Sequence, residues 1–333
     1  MSDIVTLSPE AVTDLITGAL MRSRTSPGNA ASVARALLAA ELAGQNGHGL
    51  RRVAAYSAQA QAGKVDGFAV PAAEATRPGA LAIDAGNGFA YPAMDLALDW
   101  LPHAAKTQGI AIAGIRRSHH CGVAGVIVEA LAERGVAALM VANAPAAMAP
   151  WGGRQALFGT DPIAFAAPLA DGAPVVVDIS LSKVARGKIM AAAQKGEAIP
   201  EGWALDPEGQ PTTDARAAMA GTMIPLGDAK GTALALMVEL LCAGLTGANY
   251  AWQATSFFDD KGEPPGTGQA IIAIDPDAFG PGGAERMALM ADMVAGTEGA
   301  RLPGRRRQQI RADFMENGIP VDAELLESIR AIG

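Results

Sequence analysis

The chain has 333 residues, 50% of them hydrophobic and 18% charged, enough apolar material for one large unit or two to three closely packed domains. Its net charge of −8 and pI near 5.1 argue against a surface that tracks nucleic-acid phosphates, and the basic residues are scattered apart from the run 305–307. No apolar run is long enough to cross a bilayer, MSDIVTLSPEAV does not read as a secretory signal, and two cysteines, Cys121 and Cys242, make no disulfide framework, so a soluble cytoplasmic protein is expected.

Ser8-Pro9-Glu10 opens the first helix with a side-chain cap, a proline in the first turn and an acid at the positive end of the dipole; the helix runs to about Arg22. Ser26-Pro27 is a second capping signal, ahead of an alanine-rich helical segment over 29–63 that glycines interrupt at 44, 47 and 49. LAIDAG (81–86) precedes a helix over 91–106. GIAIAGI (109–115) is short, apolar and glycine-bounded, which predicts a buried strand; a helix at 126–133 and a further apolar run at 136–143 complete an α/β pattern. A long loop (144–162) leads to strands in IAFAAP (163–168) and APVVVDIS (173–180). Helices follow at 182–194 and 230–245, then a strand at 270–275 and closing helices at 285–295, 305–316 and 322–331. No internal repeat is present, and the helical ends can pack together.

Chemistry concentrates in a few stretches. GIRRSHHCGVAG (114–125) holds two of the four histidines. Neighbouring side chains of an extended segment point opposite ways, so His119 and His120 suit a shared metal poorly, and no metal site is expected. If the chain is helical after Gly49, then His48, Arg52 and Tyr56 share one face, bringing together a proton donor, a guanidinium fork for a carboxylate and a phenol. The same spacing also arises in alanine-rich helices with His48 at a helix start and Arg52 as a solvated charge. Asp178-Ile179-Ser180-Leu181-Ser182 ends a strand, where α/β folds bind ligands, or where Ser180 or Ser182 caps the next helix. Lys230 sits at a helix start against the dipole, which an anionic cofactor would explain. There is no G-x-G-x-x-G after a strand, no phosphate-loop motif and no H-E-x-x-H.

GHGLRRVAAY, GIRRSHHCGVAG, NAPAAMAPWGGRQALFGTDPIAFAAP, VVDISLSKVARGKI, IPEGWALDPEGQPTTD, GDAKGTALALMVELL and RLPG span nearly the whole chain. Together they resemble the type-2 malate/L-lactate dehydrogenase family of NAD(P)-dependent oxidoreductases. Its relatives include ureidoglycolate and sulfolactate dehydrogenases, diketogulonate reductase and the Δ1-piperideine-2-carboxylate/Δ1-pyrroline-2-carboxylate reductases. The resemblance implies an α/β subunit with a family-specific, non-Rossmann NAD(P)-binding fold, its helical N- and C-terminal segments packed together, and a homodimer. It divides the chain into an N-terminal helical part (1–75) carrying His48 and Arg52, a central α/β part (76–300) and a C-terminal helical part (301–333).

By the same resemblance His48 is the proton donor, His120 assists at the reaction centre, and Asp178 orients or tunes a histidine. Arg52, Tyr56 and His119 contact substrate. Asp178, Ile179, Ser180, Ser182, Lys183, Lys230, Gly231, Pro303 and Gly304 contact the cofactor. Four departures stand out: Gly47 for a common serine, His119 and Cys121 beside the matching histidine, Asp161 for an asparagine, and Arg305 for an acid. The SHH triplet is similar to that of the ketimine reductases, which favours NADPH over NADH and a cyclic 2-imino acid or 2-oxo acid as hydride acceptor at C2. The alternative is a 2-hydroxy acid dehydrogenase for malate, lactate or (R)-sulfolactate, with Arg116, Arg117 and Lys183 as candidates for a second anion. More remote are a catalytically silent binding protein and a hydrolase built on Cys121 and His120.

Overall fold

The computed structural model describes residues 3–333. Both capping signals act as the sequence predicts: Ser8 accepts the Ala11 N–H at 3.1 Å at the head of the helix Pro9–Arg22, and Ser26 accepts the Asn29 N–H at 3.3 Å for Pro27–Leu42. The interruption expected at the glycines within 29–63 is present. The first helical part ends at Leu42, just before Gly44 in the left-handed conformation (φ +69°); Asn46–His48 and Leu50–Arg52 are separate 3-10 turns; an α-helix resumes over Val53–Ala62. The break has a local cause. Glu41 is buried and accepts the Leu50 N–H at 2.6 Å, and the chain passes so close to its carboxylate that a Cβ on Gly49 would collide with it.

Seven strands form the main sheet, in the order Ala72–Arg77, Ala80–Asp84, Ile110–Ser118, Thr267–Ile274, Ala137–Ala142, Ile163–Ala167, Val175–Ile179. Only the second and third pair in parallel; every other neighbour is antiparallel. This is an α/β fold but not a doubly wound Rossmann sheet, in agreement with the missing glycine fingerprint. Alternation along the strands divides the interior. Ala138, Met140, Ala142, Ile271 and Ala273 face a large core shared with the helices Ala90–Gln108 and Ala124–Ala132. Val141 and Ala270 face a smaller core with Val238 of the helix Ala229–Glu239 and Cys242 of the π turn Leu240–Gly244.

The termini are joined by more than helices. Ile4–Leu7 pairs antiparallel with Ile319–Asp322, the helix Ala323–Arg330 packs on the first helix, and Arg305–Asn317 packs on Pro27–Leu42. That strand pair was not expected, nor was the exposed edge strand Ala72–Arg77, which buries no face and so shows no apolar alternation. A small sheet of Ala204–Leu205, Pro211–Thr212 and Thr222–Met223 is also too short to announce itself. The helix predicted from Ser182 starts at Arg186, because Ser182 bridges to Pro225 and its hydroxyl donates to Val184 O at 2.8 Å.

Asp161, one of the departures, lies fully buried with φ +39°, a conformation that asparagine and aspartate tolerate better than most residues. Burial and the charge of Glu239 push its pKa well above the ordinary range, and burial pushes Glu239 up to about 7. Glu239 Oε2 accepts Asn143 Nδ2 and the Ala251 N–H, both at 3.2 Å. Carboxyls raised in the folded state stabilise it fully below their unfolded pKa of about 4 and lose that contribution as pH rises through the folded values. Between pH 5 and 8 the wild-type melting temperature should therefore fall, whereas Asp161→Asn should fall less and melt at least about 2 °C higher at pH 8. Parallel melting curves across that range would contradict the buried-pair account.

Candidate active site

Three neighbouring segments and one distant loop converge on one spot. The two 3-10 turns bring His48 and Arg52, the helix Val53–Ala62 brings Tyr56, the chain leaving the strand Ile110–Ser118 brings His120, and the loop 250–262 brings Phe257 and Phe258. The expected cluster of His48, Arg52 and Tyr56 thus forms, but from successive turns rather than one helical face. The rings of His48 and His120 stack with centroids 5.4 Å apart and planes 22° from parallel. Tyr56 Oη lies 2.6 Å from His120 Nδ1 and 3.2 Å from Tyr91 Oη. Arg52 donates from Nε to Gly47 O at 2.9 Å, and its guanidinium lies 4.6 Å over the Phe258 ring. A Cβ at Gly47 would meet nothing within 4 Å, so the position of the missing serine is open space.

Burial dominates the electrostatics. It lowers His48 to about 4, with the Arg52 charge adding to the effect, and holds His120 well below its ordinary value for the same reasons. Burial raises Tyr56 to about 12. At neutral pH both imidazoles are therefore uncharged, the phenol keeps its proton, and Arg52 supplies positive charge beside them. An anion drawn to Arg52 would lie next to two groups able to exchange a proton with it.

Two expected roles need correction, and two alternatives lose support. His119 was expected to contact substrate, but its ring is 1% exposed and packs against Tyr56, Phe89 and Phe257 at centroid distances of 5.3, 6.0 and 5.2 Å. The divergence expected of adjacent side chains is not seen here: His119 and His120 flank the same two rings, Tyr56 and Phe257, with His119 the more deeply buried. Asp178 was expected to orient a histidine. Its Oδ2 instead accepts the Gly125 N–H at 2.9 Å and an Arg307 Nη2 bond at 3.4 Å. Arg116 and Arg117 both pair with the one carboxylate of Asp84, at 3.1 and 2.7 Å, with side chains 53 and 55% exposed. Cys121 is buried, and burial pushes its thiol up to about 12, which removes the thiolate a hydrolase would need.

The cofactor segments fall into two groups. Asp178 and Gly125, in the first turn of the helix Ala124–Ala132, meet Arg307, whose buried Nη1 has no partner; a Cβ on Gly125 would collide with that guanidinium. Gly304 (φ +88°) lays the Pro303–Gly304 turn against Val176, two residues before Asp178, where a Cβ would come within 3.2 Å of Val176 O. A carboxylate at a strand end beside an arginine with one unspent N–H is a pair of the kind that could hold the ribose and phosphate of a dinucleotide. In the second group Ser180 and Ser182 share a hydroxyl bond of 2.7 Å, and Ser180 also reaches Thr160 O at 3.2 Å. Ile179 is exposed beside them. Lys183 N–H bonds Ile224 O, and Leu226 N–H bonds Leu181 O, which draws Lys230 and Gly231 alongside. Gly231 has a packing reason of its own, since a Cβ there would strike Leu226 O. Tyr91, Phe257, Phe258 and Arg307 were not singled out from sequence; only the Phe-Phe doublet, in a chain with eight phenylalanines, offered any signal.

The protein is an oxidoreductase that works with a nicotinamide cofactor. The chain belongs to the malate/L-lactate dehydrogenase family, whose profile matches residues 7–330. It is 48% identical to the (2R)-3-sulfolactate dehydrogenase (NADP(+)) of Chromohalobacter salexigens, over 90% of this chain and 89% of that one. It is 39% identical to the Δ1-pyrroline-2-carboxylate/Δ1-piperideine-2-carboxylate reductase of Pseudomonas syringae pv. tomato, over 98% of this chain and 96% of that one. The crystal structure of Δ1-piperideine-2-carboxylate reductase from Pseudomonas syringae pv. tomato superposes with a TM-score of 0.94 at 38% identity, covering 99% of this chain and all of that one (100%).

Proposed function

We propose that the protein reduces C2 of a cyclic 2-imino acid of the Δ1-piperideine-2-carboxylate or Δ1-pyrroline-2-carboxylate type, with NADPH as reductant. The carrying observation is that the histidine pair meets one guanidinium, Arg52, and an apolar wall, Phe257 and Phe258, while Arg116 and Arg117 are held by Asp84. One carboxylate clamp and an apolar surface suit a cyclic imine; a sulfonate or second carboxylate wants a second cation.

Arg52, its Nε held by Gly47 O, turns its remaining N–H groups to the carboxylate. His48 donates the proton to the nitrogen, or to the oxygen of an oxo acid. With the Tyr56 hydroxyl donating to Nδ1, neutral His120 carries its proton on Nε2 and assists. Asp178, Arg307, Ser180 and the Pro303–Gly304 turn hold the cofactor, which when bound supplies the hydride. The choice of NADPH is supported by the cofactor in the name of the sulfolactate relative and by the basic run 305–307 beside that turn.

The second reading, a (2R)-3-sulfolactate dehydrogenase, is favoured by the 48% identity. Initial rates at 340 nm with NADPH and NADH, offering Δ1-piperideine-2-carboxylate, sulfopyruvate, oxaloacetate and pyruvate, separate the two. The cyclic imine with NADPH is expected to lead in kcat/KM by about a hundredfold or more, roughly 2.7 kcal/mol of transition-state preference. A lead of that size for sulfopyruvate would install the dehydrogenase reading.

The protein is also proposed to work as a homodimer. Leu236, Leu240 and Leu245 are 49, 51 and 73% exposed along one helix and its π turn, next to a sheet face on which Ile112, Leu139 and Ile272 are only half-buried. Light scattering should return about twice the 33.8 kDa chain mass, and a monomer's mass would refute it.

A further inference from the structure

Both phenylalanine rings of the site lie on a loop without regular secondary structure. Phe257, 5% exposed, stands 5.1 Å from the His120 ring, and Phe258, 49% exposed, lies under the Arg52 guanidinium. They are the middle of a four-residue arch, 256–259, whose two ends are bonded to one side chain. Lys64 Nζ donates to Ser256 O at 2.7 Å, to Asp259 O at 3.0 Å and to Asp259 Oδ1 at 3.3 Å. A lysine ammonium has three N–H donors, so all three are spent here, on a side chain that is 1% exposed. Gln59 Nε2 adds a bond to Asp259 O at 2.9 Å. Lys64 follows Gly63, the left-handed cap (φ +81°) of the helix Val53–Ala62 that carries Tyr56. One helix end therefore places the phenol at the histidines and also holds the arch above them.

We propose that Lys64 is a positioning residue for the reaction: by clamping the arch 256–259 it fixes Phe258 beneath Arg52 and so sets the affinity for the substrate carboxylate. The proposal rests on Arg52 being the carboxylate clamp. Arg52 is held at two points, the Nε bond to Gly47 O and the face of Phe258. Loss of the ring frees the guanidinium to sample other rotamers, and that freedom must be given up each time substrate binds. The other bonds of the arch are local, Phe258 N–H to Ser256 Oγ at 3.0 Å and Lys261 N–H to Asp259 Oδ1 at 3.0 Å, and they shape it without anchoring it to the helices.

The test is steady-state kinetics on Phe258→Leu, Lys64→Met and the double variant, with melting temperatures alongside. Phe258 is half-exposed, so its replacement spares the fold. Phe258→Leu should raise the KM for the carboxylate substrate roughly five- to twentyfold, with kcat within about twofold and the KM for NADPH unchanged. Lys64→Met, which keeps the apolar stem and removes the donors, should show the same split. In the double variant the KM should stay close to the larger single increase, because both changes act on one contact. A purely structural lysine would instead lower the melting temperature and the active fraction with KM untouched. That outcome, or increases that multiply, overturns the proposal. Should Lys64→Met not fold, Asp259→Ala at the exposed end of the same bond carries the test, with the same split expected in smaller measure and an unchanged KM counting against the clamp. Arg52→Met separates the two levels: a raised KM there with none in the arch variants removes the arch and leaves the clamp. No change in any of them removes both.

Discussion

His48→Ala is expected to lower kcat for imine reduction by about 10²–10⁴-fold while the KM for NADPH stays nearly unchanged, since the ring is assigned to proton transfer and lies among the substrate-binding turns rather than the cofactor groups. The pH profile gives a second readout. In the free protein burial and the Arg52 charge hold His48 near 4, so the fraction of acid form is small at neutral pH. A substrate carboxylate on Arg52 cancels the second of these causes and raises the histidine. The fall in kcat with rising pH, which reports the bound complex, should therefore begin at higher pH than the fall in kcat/KM, which reports the free enzyme. The variant should lose this limb. Near wild-type turnover in His48→Ala would remove the residue from the mechanism and pass the proton to His120, whose Nδ1 is tied to Tyr56.

Arg52→Met is the second large effect, a loss of roughly 10²–10³ in kcat/KM carried mainly by KM. The guanidinium is partly buried, it is anchored to Gly47 O, and its charge reaches both histidines. Methionine keeps the stem and gives up the fork. The same change should also raise the histidine pKa in the free protein by removing the positive neighbour, so the kcat/KM limb moves to higher pH even as the rate falls. Arg52→Lys should recover only part of the loss, because an ammonium neither presents two parallel donors nor stacks on Phe258 as a planar cation does. If Arg52→Met leaves the substrate KM unaltered, the carboxylate is held elsewhere.

Much of this centre was legible in the chain, and what was not has physical reasons. Helix starts at Ser8 and Ser26 are local signals, readable from three residues each. His48, Arg52 and His120 could be singled out because few residue types do this chemistry, but the packing of both His119 and His120 on Tyr56 and Phe257 was not foreseen, because it depends on residues from three distant segments. The break after Leu42 was announced by its glycines, but its cause was hidden, since Glu41 reaches across nine residues to the Leu50 N–H, a bond that no periodicity announces. The Asp178 role was misread for a similar reason: its partner Arg307 lies 129 residues further on, and a basic run with exposed neighbours looks like surface until Arg307 is seen packed beneath Gly125. The pairing of Ile4–Leu7 with Ile319–Asp322 joins two four-residue strands from opposite ends of the chain. Lys64 carries no sequence signal at all; its role exists only because residues 256–259 return to it.

The most direct measurement is the fate of the hydride. Turnover of Δ1-piperideine-2-carboxylate with NADPH deuterated at C4, each face in turn, should place one deuterium at C2 of the product from one of the two labelled cofactors and none from the other. Mass and NMR spectra of the product read this directly. Deuterium absent from C2 with both cofactors, or found elsewhere in the ring, would contradict hydride delivery at the centre formed by His48, Arg52, Tyr56 and His120.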